Sequence, residues 1–366
     1  MEYKVHHFSA FLEQHAPLGS QESYDNSGLI VGNPMMDVKG VLLSLDCIEQ
    51  TVDEAIELGA NLIIAHHPIV FKGLKQLNGK NYVERTVIKA IKNDIAIYAI
   101  HTNLDNYKLG VNYEIAQRIG VKNPKVLAPA QNVLKKLVFF CPTDEAEKVS
   151  QAIYKAGGGT IGEYSNCSFK TTGVGSFTPS ELANPSKGKI NQPEEVEEYR
   201  IEILIPSHKE QQIIAAMKKA HSYEEVAYEI YPIHNKNQDE GAGMIGKLEK
   251  EENTLAFLKN LKENFNCGVI RHTKLIKDKI KTIAFCGGSG SFLLNEAKRQ
   301  NADIFITSDF KYHEFFDAED EIIIADIGHF ESEQYTPHLI LGILRKKFIN
   351  FAIHLSKVNT NPINYF

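Results

Sequence analysis

Apolar residues in this chain gather in short runs that alternate with segments of helical spacing. Residues 41–45 (VLLSL), 61–65 (NLIIA) and 95–100 (IAIYAI) are apolar almost throughout, as strands buried on both faces are. Between the first two, Val52, Ala55 and Ile56 recur at helical spacing over 49–58, and Gly59 stands where a helix-ending glycine belongs. Between the second and third, residues 82–93 predict a helix with Val83, Val87, Ile88 and Ile91 on one face. Strand, helix, strand, helix, strand is the pattern of a mainly parallel sheet.

The same style returns near the end. Strands are predicted at 282–286 (TIAFC), 302–307 (ADIFIT) and 321–325 (EIIIA). The first runs into Gly287-Gly288-Ser289-Gly290, with a helix expected through Leu293, Leu294 and Ala297. A last helix over 335–347 turns Leu339, Ile340, Ile343 and Leu344 inward. The middle differs. A strand at 137–141, a helix at 144–156, short polar alternating segments, a strand at 200–205, a helix at 208–220 and a strand at 227–232 give the order β-α-β-β-α-β of ferredoxin-like modules. Residues 177–193, rich in Pro, Ser and Asn, read as a mobile loop. The expected architecture is α/β: a layered core in two halves, 1–128 and 237–366, with a ferredoxin-like α+β domain inserted at 129–236.

The 366 residues suit two or three domains at a prior of ~150 residues each. A net charge of −6 argues against a generic nucleic-acid binder. The basic cluster from Lys274 to Lys281 is interrupted by apolar and acidic residues and reads as solvated surface. Cys47, Cys141, Cys167, Cys267 and Cys286 form no C-x-x-C pair, so neither a disulfide framework nor a cysteine zinc site is expected. No signal-like start and no apolar stretch near the ~18 residues of a membrane span is visible, which points to the cytoplasm and no membrane partner.

Ligands of parallel α/β sheets collect beyond the C-terminal strand ends. Three polar segments fall at such ends. His66 and His67 follow 61–65 directly; they are ordinary strand-end histidines, or each serves a different ion of a pair, because neighbours on extended backbone point to opposite sides. Asp105 follows 95–100 and is a metal ligand, or else an Asx-turn or N-cap residue. His101 beside it is a ligand, a core residue or a hydrogen-bonding neighbour of ligands, the last preferred. His329 and Glu333 stand four apart, so both share one face if a helix starts there. Glu331 does not share that face. Three histidines with two carboxylates exceed one open catalytic zinc and suit two ions ~3.5–4 Å apart that activate water. The donor set fits Zn, Fe, Mn, Ni or Co. Residues 287–290 are an anion-binding turn or simply a tight turn. His313, near a further strand end, is a general acid–base candidate or a surface residue.

These motifs resemble one family: the dinuclear metal centre proteins named GTP cyclohydrolase 1 type 2 homologues, or Nif-three-like proteins. The matching runs are Tyr24-Asp25-Asn26-Ser27-Gly28-Leu29, Ala65-His66-His67-Pro68, His101-Thr102-Asn103-Leu104-Asp105, Cys286-Gly287-Gly288-Ser289-Gly290, Thr307-Ser308-Asp309 with Tyr312-His313, and Gly328-His329 with Glu333. They span nearly the whole chain outside the insertion. The resemblance implies two divalent metal ions per subunit on His66, His67, Asp105, His329 and Glu333, with Glu333 touching both. It implies a toroidal homohexamer, a PII- or CutA-like insertion, and a hydrolase acting on a small, nucleotide-like substrate such as GTP. His101 and His313 are the candidate catalytic residues. A non-catalytic metal-handling or regulatory protein is the alternative. Tyr24 and Ser308 stand where the family often has Trp and Gly, and neither is a ligand.

Overall fold

Strands that are apolar on both faces need cover on both sides, and the fold supplies it in layers. The computed structural model describes residues 2–366. It divides into two units: the chain up to Ala128 joined with Asp239–Phe366, and Pro129–Gln238. The architecture is mixed α/β with three sheets.

The first unit holds two sheets. One runs Gly28–Val31, Ala96–Ala99, Leu62–Ala65, Val41–Ser44, Ile353–Leu355 across its width. All its pairings are parallel except that of the edge strand Gly28–Val31. The other runs Arg271–His272, Ile323–Asp326, Ile304–Ser308, Lys279–Ser289, Asn237–Asn253, Lys122–Ala130. Its three central strands are parallel.

Alternate residues of each strand serve different layers. Leu43, Ile64 and Tyr98 of the first sheet share a core with Phe285, Ile306 and Ala325 of the second. Phe8, Leu12, Phe257, Leu261, Ile340 and Leu344, from helices between the sheets, complete it. The opposite faces carry their own cover. Leu42, Ile63 and Ile97 meet Val52, Ala55, Val87 and Ala90. Ala284, Phe305 and Ile324 meet Leu294 and Ala297.

The helix Tyr82–Lys92 departs from its expected face. Ile91 is 54% exposed, whereas Glu84 and Thr86 are buried. Glu84 is drawn in because its carboxylate accepts the backbone N–H groups of Asn78 (3.1 Å) and Lys80 (3.0 Å), which the preceding loop leaves unpaired.

In the second unit the sheet order is Phe169–Phe177, Glu194–Pro206, Leu134–Pro142, Tyr228–Pro232, antiparallel throughout. With helices Ala146–Lys155 and Glu210–Ala220, the chain order is β-α-β-β-α-β. Leu137, Phe139, Ile201 and Ile203 pack against Val149, Ile153, Ile213 and Met217 from those helices.

Candidate metal centre

Every segment of this site leaves the end of a strand. His66 and His67 follow Leu62–Ala65, and His101 follows Ala96–Ala99. The chain after His101 is a single helical turn, Thr102–Asp105, rather than the open turn expected, and it carries Asp105 inward. His329 and Glu333 begin and end the short helix His329–Glu333 after Ile323–Asp326. The parallel strands of both sheets thus aim their C-terminal ends at one spot.

There the side chains fall into overlapping groups whose candidate ligand atoms lie within 4.8 Å of one another. His66, Asp105 and Glu333 form one, and His67, His329 and Glu333 another. His66, His67 and His101 form a third. The first two meet at Glu333. Its Oε2 lies 3.0 Å from Nε2 of His67 and 3.2 Å from Nε2 of His329. Its Oε1 lies 3.9 Å from Nε2 of His66, which is itself 3.5 Å from Oδ1 of Asp105.

The rings are oriented from behind. Nδ1 of His66 bonds the carbonyl of Ile100 at 2.7 Å. Nδ1 of His67 meets Oδ1 of Asp46 at 2.8 Å, Nδ1 of His101 meets Oδ1 of Asp25 at 2.7 Å, and Nδ1 of His329 meets Oδ2 of Asp309 at 2.6 Å. Such an acceptor fixes the ring's orientation and, in the neutral imidazole, holds the proton on Nδ1 so that Nε2 keeps its lone pair, the arrangement found behind metal-bound histidines. Asp25 is held in turn by the N–H and hydroxyl of Thr102.

Charge is distributed unevenly. Burial pushes His66 down to about 3, so it is a neutral imidazole. Burial also opposes a charge on His67, yet Asp46 and Glu333 outweigh it and raise the group to about 9. Against the same burial, Glu333 and Asp309 raise His329 to about 11. Burial and the neighbouring Glu333 charge hold Asp105 well above the usual carboxylate range. Glu333, despite its burial, is held well below it by His329 and His67.

Two buried atoms test whether a cation fits. Nε2 of His66 and Oδ1 of Asp105 have no hydrogen-bond partner, although they face each other. Each orphaned atom costs about 1–3 kcal/mol. A divalent ion is a partner both could accept, and mixed imidazole and carboxylate donors suit transition metals.

Glycines make the room. Gly288 has φ +61°, and a side chain there would enter the place of Oε1 of Glu333. The amides of Gly287 and Gly288 are not free to cradle an anion. The strand Lys279–Ser289 takes in residues 287–289, the N–H of Gly287 donates to Oδ1 of Asn112 (3.0 Å), and that of Gly288 to Oγ of Ser332 (2.9 Å).

His313 is exposed on the 3-10 segment Tyr312–Ala318, its ring against Tyr312 and Phe316, and takes part in none of these groups. Glu331 is buried, within 3.4 Å of Nδ2 of Asn361, and also stands apart. Sequence reasoning gave Asp46 no role, and named Asp25 and Asp309 only as parts of motifs. For Asp46 and Asp309 a carboxylate just past a strand end was the available signal; Asp25 instead precedes the strand Gly28–Val31.

Comparison with known proteins agrees with this frame. The chain is 37% identical over 358 residues to the GTP cyclohydrolase 1 type 2 homolog of Halalkalibacterium halodurans, covering 96% of each. It is 37% identical over 359 residues to the protein of that name in Bacillus subtilis, again covering 96% of each. Among solved structures, a Bacillus cereus protein related to NIF3 superposes with a TM-score of 0.86 at 38% identity, over 100% of this chain and 99% of that one. A Staphylococcus aureus protein gives 0.78 at 30% identity, again over 100% and 99%. The family model for Duf34/NIF3 (NGG1p interacting factor 3) matches residues 3–362, and the chain belongs to that family.

Proposed function

We propose that the cluster binds two divalent metal ions and that the protein is a metal-dependent hydrolase of a small, nucleotide-like substrate. His66 and Asp105 would hold one ion and His67 and His329 the other, with Glu333 shared between them. The observation that carries this is the division of the Glu333 carboxylate, Oε2 toward His67 and Oε1 toward His66. A bound pair of this kind supplies Lewis acidity and lowers the pKa of water at the site.

The chain's own residues do the rest. Asp46, Asp25 and Asp309 keep the imidazole rings in one tautomer and one orientation. His101, its ring centroid 5.3 Å from those of His66 and His67, is placed to hold or pass a proton beside them. Half-exposed Phe71 lies 6.2 Å from His101 and 6.2 Å from the exposed ring of Tyr24. Such rings offer a flat substrate a stacking surface, which favours a heterocycle such as the guanine of GTP. The exposed His313 joins as a general acid–base group only if the substrate extends to it. A homohexameric ring rests on the family likeness, and five free thiols fit a reducing, cytoplasmic setting.

The test is metal analysis of the wild type beside Glu333→Ala, followed by incubation with GTP. Near two ions per chain, their loss in the variant and metal-dependent product support the reading. Two ions without turnover of GTP or a nucleotide panel would turn it into the non-catalytic, metal-handling alternative. A metal-free wild type after reconstitution would end both.

A further inference from the structure

The second unit buries a carboxylate that the metal centre does not explain. In the strand Glu194–Pro206, Ile201, Ile203 and Ile205 join the core beneath the helices. Alternation puts Val196 and Glu198 on the other face of the sheet. Two irregular segments, 178–193 and the stretch from His221 to Ala227, meet over that face. The N–H of Asn184 donates to the carboxylate of Glu224 at 2.8 Å and ties them together. Beneath them is a pocket of about 390 Å³. That lies within the ~300–1,000 Å³ of small-molecule sites.

Its floor is Glu198, only 7% exposed. Oε1 of Glu198 accepts the hydroxyl of Tyr223 at 2.8 Å. Oε2 occupies the space that any side chain at Gly175 would fill. Among the described residues Glu198 has no ion-pair partner; Arg200, two residues along the strand, and Lys136 pair with Glu202 instead. A buried carboxylate without a counter-charge is costly, and a ligand can supply that charge. The walls are aromatic: Phe177 and Tyr223 stand edge to face at 6.0 Å, beside Phe140. Glu198, Glu224 and Glu225 line the space against a single cation, Lys187, whose Nζ lies 3.5 Å from Asp144. An apolar ring cage with an anionic floor suits a cation on a flat body.

We propose that this pocket binds a small organic amine, its ring held by Phe177 and Tyr223 and its ammonium nitrogen on Oε2 of Glu198. Tryptamine is a probe of that chemistry. The chain contains no Trp, so indole emission reports the probe alone.

Titrating the full-length protein into tryptamine should raise indole anisotropy saturably, at one probe per chain. Indole-3-acetate, with the same ring and the opposite charge, should not saturate. Glu198→Gln should weaken tryptamine at least tenfold. Gly175→Ala, which keeps the carboxylate but crowds Oε2, should weaken it by a similar factor and decides the matter if Glu198→Gln fails to fold by circular dichroism. No saturable binding, equal binding of the indole acid, or full affinity in the variants would overturn the proposal.

Discussion

Nε2 of His67 and Nε2 of His329 lie 3.4 Å apart although 262 residues separate them in the chain. One comes from each sheet of the first unit, and Oε2 of Glu333 lies within 3.2 Å of both. On the proposed two-ion reading, that convergence assigns both rings to one ion. His329→Ala should therefore bring metal content from two ions per chain to about one, whereas Glu333→Ala should empty both positions. Elemental analysis of purified, reconstituted protein checks this. Equal stoichiometry in the two variants would contradict the division of Glu333.

Asp46 is not itself a candidate ligand, yet it orients the ring of His67 and holds a proton on its Nδ1. Thr360 fixes its second oxygen at 2.6 Å. Asp46→Asn should weaken metal binding roughly 10–100-fold without unfolding the chain. Competition with a chelator of known affinity measures the loss. Unchanged affinity would mean that His67 needs no such support.

Gly288→Ala tests the space left for Glu333. The positive φ costs an L-residue about 1 kcal/mol, and the new methyl would displace Oε1. Both melting temperature and metal content should fall. Gly342 is the control: it lies exposed in the helix Thr336–Arg345 with nothing within 4 Å of an added Cβ. Gly342→Ala should raise stability by ~0.5–1 kcal/mol and leave metal content intact.

Away from the site, Asp303 accepts the backbone N–H groups of Lys281 and Thr282, each at 2.8 Å, and pairs with Lys277. Burial opposes its charge, but these partners hold its carboxyl below the usual range. A carboxylate lowered on folding stabilises above its unfolded pKa of ~3.9, and that contribution fades as pH falls through the lower folded value. Asp303→Ala should cost about 1 kcal/mol at pH 6, with much less difference toward pH 3. Urea unfolding at both pH values reads this out, and a pH-independent difference would exclude the ion pair as its source.

The ligand candidates were legible because each belongs to a local pattern. His66 and His67 end an apolar run, and His329 and Glu333 keep helical spacing. Their supports were not. Asp46 and Asp25 look like ordinary turn residues, and only the packing of distant segments brings an imidazole to each. Residues 287–290 read as a turn because glycine favours turns over strands. Asn112 and Ser332, remote in sequence, take up the amides that a local reading leaves free. The edge strand Gly28–Val31 was too short to stand out. Ile91 was misplaced because helical spacing says nothing of a loop that needs Glu84 more.

The strands Lys122–Ala130 and Asn237–Asn253, which lead the chain out to residues 129–238 and back, are neighbours in one sheet. The excursion is thus clamped at its stem, and the entropy of closing such a loop grows only with the logarithm of its length. Shortening or lengthening it should shift the stability of the core by less than the hundred or so residues involved would suggest. The candidate ligands of both chain halves can then be held in register whatever the excursion carries.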